Sequence, residues 1–135
     1  MAETKAKAKK EELTLQDIRK EIYQNENPIE AYNKIKESAD KMIQAHWKAE
    51  EWDQLEELQA HLENLLMKIV DKLEKDKSLD NHLLTLFVKY DFVNKFNISV
   101  AEKETGEIVC KGRIKSIENI SKLRKIGFYE RRSTL

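Results

Sequence analysis

The sequence predicts an α+β protein in which a helical part precedes a small part containing β-strands. Apolar residues recur three or four positions apart over residues 50–75, and no glycine or proline occurs between residues 29 and 105. Two β-prone runs flank a glycine-containing turn within residues 97–114. We therefore expect an N-terminal antiparallel helical hairpin or three-helix unit, followed by a small C-terminal β-meander with a closing helix.

The composition restricts the class of protein. Of the 135 residues, 37% are charged, against roughly 25% in an average globular protein, which indicates extensive solvated helix surface. Lys+Arg and Asp+Glu both total 25, so net charge favours no partner. A single cysteine excludes an internal disulfide and is typical of a reducing compartment. No apolar run approaches the roughly 20 residues of a membrane span. We therefore expect an intracellular, cytoplasmic protein that does not bind membranes.

The helical part is predicted over residues 13–77, after a disordered basic tail at residues 1–12 that has almost nothing to bury. Thr14 is the expected N-cap of a short first helix, and Asp17 completes a variant of the capping box. Pro28 suits the first turn of a second helix. The third helix carries the long apolar stripe, which consists of Leu55, Leu58, Leu62, Leu65, Leu66, Ile69 and Leu73.

The sequence leaves the join between the second and third helices open. No glycine marks residues 47–52, and one continuous helix over residues 28–76 would be roughly 70 Å long at about 1.5 Å per residue. A helix of that length would need a partner chain to cover its stripe. We therefore favour a tight turn near Ala49, which makes the two helices an antiparallel hairpin.

The C-terminal part is predicted over residues 78–135. Residues 84–93 fit either a strand or a helix, and their β-branched and aromatic content favours a strand slightly. A β-hairpin is expected near residues 97–114, with Gly112 marking a bulge. Ser116 should cap a helix over residues 116–126, and Gly127 should end that helix before the chain becomes extended again.

The sequence gives no support for catalysis. Nucleotide-binding glycine motifs, metal-binding histidine motifs and cysteine pairs are all missing from it. The three histidines lack the spacing of a helical metal site, and Cys110 is expected to be a buried structural thiol. Glu56, Glu57 and Glu63 are expected on the solvated face of the third helix. We therefore predict no enzymatic activity, no catalytic residue, no metal, no cofactor and no small-molecule substrate.

Two aromatic pairs are candidates for binding a protein partner. Trp47 and Trp52 flank the predicted turn, where they either close the core against water or form an exposed binding hot spot. Phe128 and Tyr129 follow the closing helix. A partner protein, or a second copy of the chain, would bind through these residues and the helical face.

Basic residues accumulate in the last third of the chain, where residues 107–135 contain eight bases and three acids. Lys111, Arg113 and Lys115 would share one face of an extended run. Such a face either binds phosphates or simply protects a strand from edge-to-edge pairing. The candidate nucleic-acid-binding residues are Lys111, Arg113, Lys115, Lys122, Arg124, Lys125, Arg131 and Arg132.

Two functional hypotheses follow. The leading hypothesis is a non-enzymatic protein-interaction module, such as a small adaptor, assembly factor or inhibitor, that acts through its helical face and basic C-terminal end. The alternative is a protein that binds DNA or RNA through the basic residues of 111–132 and through the lysine-rich N-terminal tail.

Overall fold

A computed structural model describes residues 13–89, 95–127 and 129–133. Within these ranges the helices are α1 (Leu15–Gln24), α2 (Pro28–Lys48), α3 (Trp52–Lys75) and α4 (Ile117–Ile126), and the strands are β1 (His82–Lys89), β2 (Lys95–Glu102), β3 (Ile108–Ile114) and β4 (Tyr129–Ser133). This order confirms the predicted α+β class. The predicted tail at residues 1–12 lies outside the described residues. Of the segment 84–93, which the sequence leaves open between strand and helix, residues 84–89 belong to β1 and residues 90–93 lie outside the described residues.

The chain divides into two compact units, residues 1–61 and residues 62–135. In the described part of the first unit, the local capping signals act as predicted. Thr14 and Asp17 form a reciprocal capping box at the start of α1. Asn27 caps α2 ahead of Pro28. The side chains buried in this unit come from all three helices and include Ile18, Ile22, Ala31, Ile35, Ala39, Leu55 and Leu58.

The chain turns between α2 and α3, so residues 28–76 do not form one continuous helix. The Glu51 N–H donates to the His46 carbonyl at 2.9 Å, and the Glu50 N–H donates to the Trp47 carbonyl at 3.1 Å. Glu50 has a φ of 58°. These bonds and the left-handed residue form a Schellman motif, which ends a helix without leaving its last carbonyls unpaired. The Tyr23 hydroxyl lies 2.8 Å from His61 Nδ1 and joins α1 to α3.

A four-stranded sheet dominates the second unit, with the strand order β3-β2-β1-β4. The first three strands form the predicted antiparallel meander. The fourth strand was not part of the meander prediction. It pairs with β1 in parallel, because α4 carries the chain from one edge of the sheet to the other.

The predicted bulge does not lie at Gly112. The register between β2 and β3 shifts between Val100 and Ala101, so the extra residue is Val109. Gly112 has a different role. A Cβ atom added there would lie 2.6 Å from Leu66 Cδ1, so glycine at this position allows the helix to approach the sheet closely.

The apolar stripe of α3 is buried as predicted, apart from the half-buried Leu62. No helix of the described residues is sufficiently long and apolar to cross a bilayer.

Candidate binding surfaces

The two faces of the sheet differ sharply in burial. Leu84, Leu86, Ile98, Val100, Cys110 and Ile114 are all buried and belong to one face. This is the inner face, because Gly112 on the same face approaches Leu66 of the helix. The opposite, outer face has no buried side chain among those that the structure describes. Antiparallel strands of this kind often have one packed face and one solvated face.

Strand register identifies the residues of the outer face. Cross-strand partners lie on the same face, and successive residues alternate between faces. The outer-face positions are Leu83, Thr85, Phe87, Lys89, Lys95, Asn97, Ser99, Ala101, Ile108, Lys111, Arg113, Tyr129, Arg131 and Ser133. Five of these described strand positions are basic (Lys89, Lys95, Lys111, Arg113 and Arg131), and none of them is acidic.

The basic positions extend across the whole sheet. Arg113 pairs with Asn97, Asn97 with Phe87, and Phe87 with Arg131. This row crosses all four strands, and adjacent strands lie roughly 4.8 Å apart, so its ends are about 14 Å apart. The neighbouring row is Lys111, Ser99, Thr85 and Tyr129. The first row has an arginine at each end, and the second has a lysine at one end followed by a serine and a threonine. An extended anion can make several contacts with such a surface.

Protection of sheet edges explains only part of this charge. Lys111, Arg113 and Arg131 belong to the edge strands β3 and β4, where bases prevent strands from pairing with other chains. Lys89 and Lys95 belong to the central strands and pair directly with each other. Edge protection therefore does not account for these two positions.

The other predicted basic residues lie elsewhere. Lys115 follows the last residue of β3, and Arg132 pairs with Val88, a strand position that alternates with the outer-face positions Phe87 and Lys89. Lys122, Arg124 and Lys125 are exposed on α4. The Arg124 guanidinium carbon lies 5.8 Å from the ring centre of Phe96, an inner-face position, so α4 covers the inner face. The structure therefore brings Lys111, Arg113 and Arg131 to one face and separates the α4 residues from them.

A buried carboxylate fixes the connection between β3 and α4. Glu63 is 7% exposed. Its Oε1 accepts the Lys115 N–H at 3.0 Å, and its Oε2 accepts the Ser116 N–H at 3.1 Å and Asn119 Nδ2 at 2.7 Å. The prediction that Glu63 lies on a solvated face is therefore wrong. The carboxylate is stable there because it accepts three hydrogen bonds beside the positive end of the α4 dipole.

The two tryptophans lie at the turn between α2 and α3. Trp47 is 61% exposed and Trp52 is 48% exposed. Their ring centres are 5.3 Å apart at an interplanar angle of 80°, which is an edge-to-face arrangement. His46 Nδ1 lies 2.8 Å from Glu51 Oε1 and adds a side-chain link across the same turn. Of the other predicted partner-binding residues, Tyr129 occupies an outer-face position in β4, and Phe128 lies outside the described residues.

The described residues contain no group of three or more His, Cys, Asp or Glu side chains arranged to hold a metal ion. Cys110 is buried, and burial raises the pKa of its thiol to about 12. A thiol with this pKa stays protonated at neutral pH and is a poor nucleophile. His61 Nε2 is buried without a hydrogen bond, and the Oε2 atom of Glu57 lies 3.8 Å from it.

Comparison of the chain with protein-family models, curated proteins and solved structures gives no match. No relative therefore supplies a function, so a function has to be inferred from the surfaces of the chain itself.

Proposed function

We propose that this chain is a non-enzymatic protein that binds nucleic acid through the outer face of its sheet. The observation that supports this proposal is the charge of that face, which has five basic positions and no acidic one among its described strand residues. The chain as a whole has equal numbers of acids and bases, so the outer face is a segregated surface. This distribution also fits a long ligand, since the basic positions are spread over four strands.

Nucleic acid is the polyanion that this arrangement fits best. The two aromatic positions, Phe87 and Tyr129, lie in the same rows as the bases. Proteins that bind single-stranded nucleic acid combine basic surfaces that contact phosphates with aromatic residues on which bases stack. Asn97, Ser99 and Thr85 add groups that can donate hydrogen bonds to phosphate or base.

A binding titration with charge-matched variants tests this proposal. The probe is a labelled oligonucleotide of mixed sequence, in single-stranded and duplex forms, followed by fluorescence anisotropy at several salt concentrations. The test variant is Lys111→Gln with Arg113→Gln, and the control is Lys122→Gln with Lys125→Gln on α4. Both variants remove two positive charges, but only the first changes the outer face.

The salt dependence gives the expected magnitude. Each phosphate contact contributes about 0.7 to the slope of log affinity against log salt for a single strand and about 0.9 for a duplex. Loss of two contacts should therefore lower the slope by roughly 1.4 to 1.8 in the test variant. The control should keep the wild-type slope. Absence of binding by the wild type, or equal losses in the two variants, would exclude the outer face as the binding surface.

Protein interaction is the second candidate function, and the exposed tryptophan pair supports it. Adjoining exposed apolar side chains mark interaction sites more often than single ones, and tryptophan is enriched at interaction hot spots. Under this hypothesis the chain is an adaptor, assembly factor or inhibitor that binds a protein partner through the turn between α2 and α3. We also propose a cytoplasmic location, which the single buried cysteine supports.

A further inference from the structure

The turn between α2 and α3 has the composition of a site for a cation. We call residues 46–57 the aromatic tip. Besides the two exposed tryptophans, the tip contains five acids, Glu50, Glu51, Asp53, Glu56 and Glu57, and all five are exposed. Lys48 is its single lysine or arginine. Aromatic faces and carboxylates both attract cations, so the two features favour the same kind of ligand.

Contacts within the chain define the shape of the tip. The Schellman hydrogen bonds fix the turn, the His46 and Glu51 side chains are in contact, and the indole rings pack edge to face. A preorganised aromatic surface loses little conformational entropy on binding. The exposure of the rings, 61% and 48%, shows that their mutual contact leaves indole surface open to solvent within this unit.

We propose that the aromatic tip docks a lysine- or arginine-rich segment of a partner protein. This inference rests on the second candidate function and is independent of nucleic-acid binding, because the acids of the tip repel phosphate. Guanidinium and ammonium groups would lie over the indole faces of Trp47 and Trp52, where cation–π attraction is strongest among the aromatic residues. The surrounding carboxylates would add charge complementarity and speed association.

The chain offers a direct probe of this surface. Its two tryptophans both lie in the tip, so intrinsic tryptophan emission reports on the tip alone. The experiment titrates the full chain with an arginine-rich synthetic peptide and, separately, with an acidic peptide of the same length. Tryptophan emission is followed for the wild type, and the anisotropy of a labelled peptide is followed for every variant.

Three variants separate the tip from general electrostatics. Trp47→Ala with Trp52→Ala removes the rings, and binding should weaken about tenfold, as expected for the loss of two exposed cation–π contacts. Glu50→Gln with Asp53→Asn removes two acids of the tip and should also weaken binding. Asp71→Asn with Glu74→Gln makes the same change in net charge on exposed positions of α3 outside the tip and should leave binding unchanged. Circular dichroism verifies that each variant is folded.

Several outcomes would overturn the proposal. These are the absence of binding by the arginine-rich peptide, binding without a change in tryptophan emission, and equal binding of the acidic peptide. Equal weakening by the two acid-neutralising variants would also overturn it, because the effect would then depend on net charge alone. A concentration-dependent dimer that the double tryptophan variant abolishes would assign the tip to a second copy of the chain and would overturn the proposed partner. If nucleic acid does not bind but the peptide does, only the outer-face proposal fails.

Discussion

Replacement of Glu63 by alanine should destabilise the second unit, because the buried carboxylate accepts hydrogen bonds from Lys115, Ser116 and Asn119. All three donors are partly buried, and water can reach them once the side chain is gone. Each bond then contributes about 1 kcal/mol net, so three contribute about 3 kcal/mol. The space left by the deleted methylenes adds about 1 kcal/mol. The expected loss in the free energy of unfolding is therefore about 4 kcal/mol.

Glu63→Gln provides a graded test of the same reasoning. Glutamine keeps the volume and one acceptor oxygen, but it turns an NH₂ group towards donors that need an acceptor. We expect a loss of about 2 kcal/mol. Glu74→Ala, at an exposed position of the same helix, should change stability by less than about 0.5 kcal/mol. Urea unfolding gives these energies, and amide exchange at Lys115 and Ser116 gives the local effect. A cost below about 1 kcal/mol for Glu63→Ala, with unchanged exchange at both amides, would refute the argument.

Three further predictions follow from local contacts. Gly112→Ala should cost about 1 to 3 kcal/mol in urea unfolding, since its Cβ would overlap Leu66. The same substitution should cost less when it is made in a Leu66→Ala background, where the overlapping side chain is gone. An unchanged midpoint for the single variant would show that Leu66 moves aside freely. The Cys110 thiol should not react with a thiol reagent at pH 8 until the chain is unfolded, because burial raises its pKa to about 12, and rapid reaction of the folded chain would contradict this burial. Hydrogen bonds from the Thr14 backbone and side chain lower the pKa of Asp17. The Asp17 carboxylate therefore stabilises the fold fully at pH values above the unfolded pKa of about 3.9. This stabilisation is lost as the pH falls through the lower pKa of the folded state. Asp17→Asn should reduce the loss of thermal stability below pH 4, and an identical pH profile would show that the capping carboxylate is not involved.

The local signals in the sequence were sufficient for most helix ends. Thr14, Pro28, Ser116 and Gly127 each act through residues within four positions of themselves, so their roles could be predicted without the fold. The turn at Glu50 was harder to predict because glycine is the usual residue in the left-handed position of a Schellman motif. Glutamate carries no comparable signal, and the alternative of one long helix therefore stayed open.

Interactions between distant residues could not be predicted. Glu63 lies on a helix rich in exposed acids, and its partners are more than 50 positions away, so neither its spacing nor its neighbours indicate burial. The alternation of Lys111 and Arg113 was visible in the sequence. That Lys89, Lys95 and Arg131 occupy positions on the same face depends on the register of the strands and on the parallel pairing of β4. Hydrogen bonds between strands that are distant in sequence determine the register and the pairing.

The parallel position of β4 has a consequence for how the second unit folds. The first three strands are adjacent in sequence and can pair through short connections, whereas Tyr129 pairs with Thr85 across a separation of 44 positions. Closing so long a loop is slow compared with forming a hairpin. Until β4 docks, the backbone of β1 remains an open edge that can recruit a strand from another chain. The interval between formation of the meander and arrival of β4 is therefore when this chain is most prone to aggregate, both on the ribosome and during refolding.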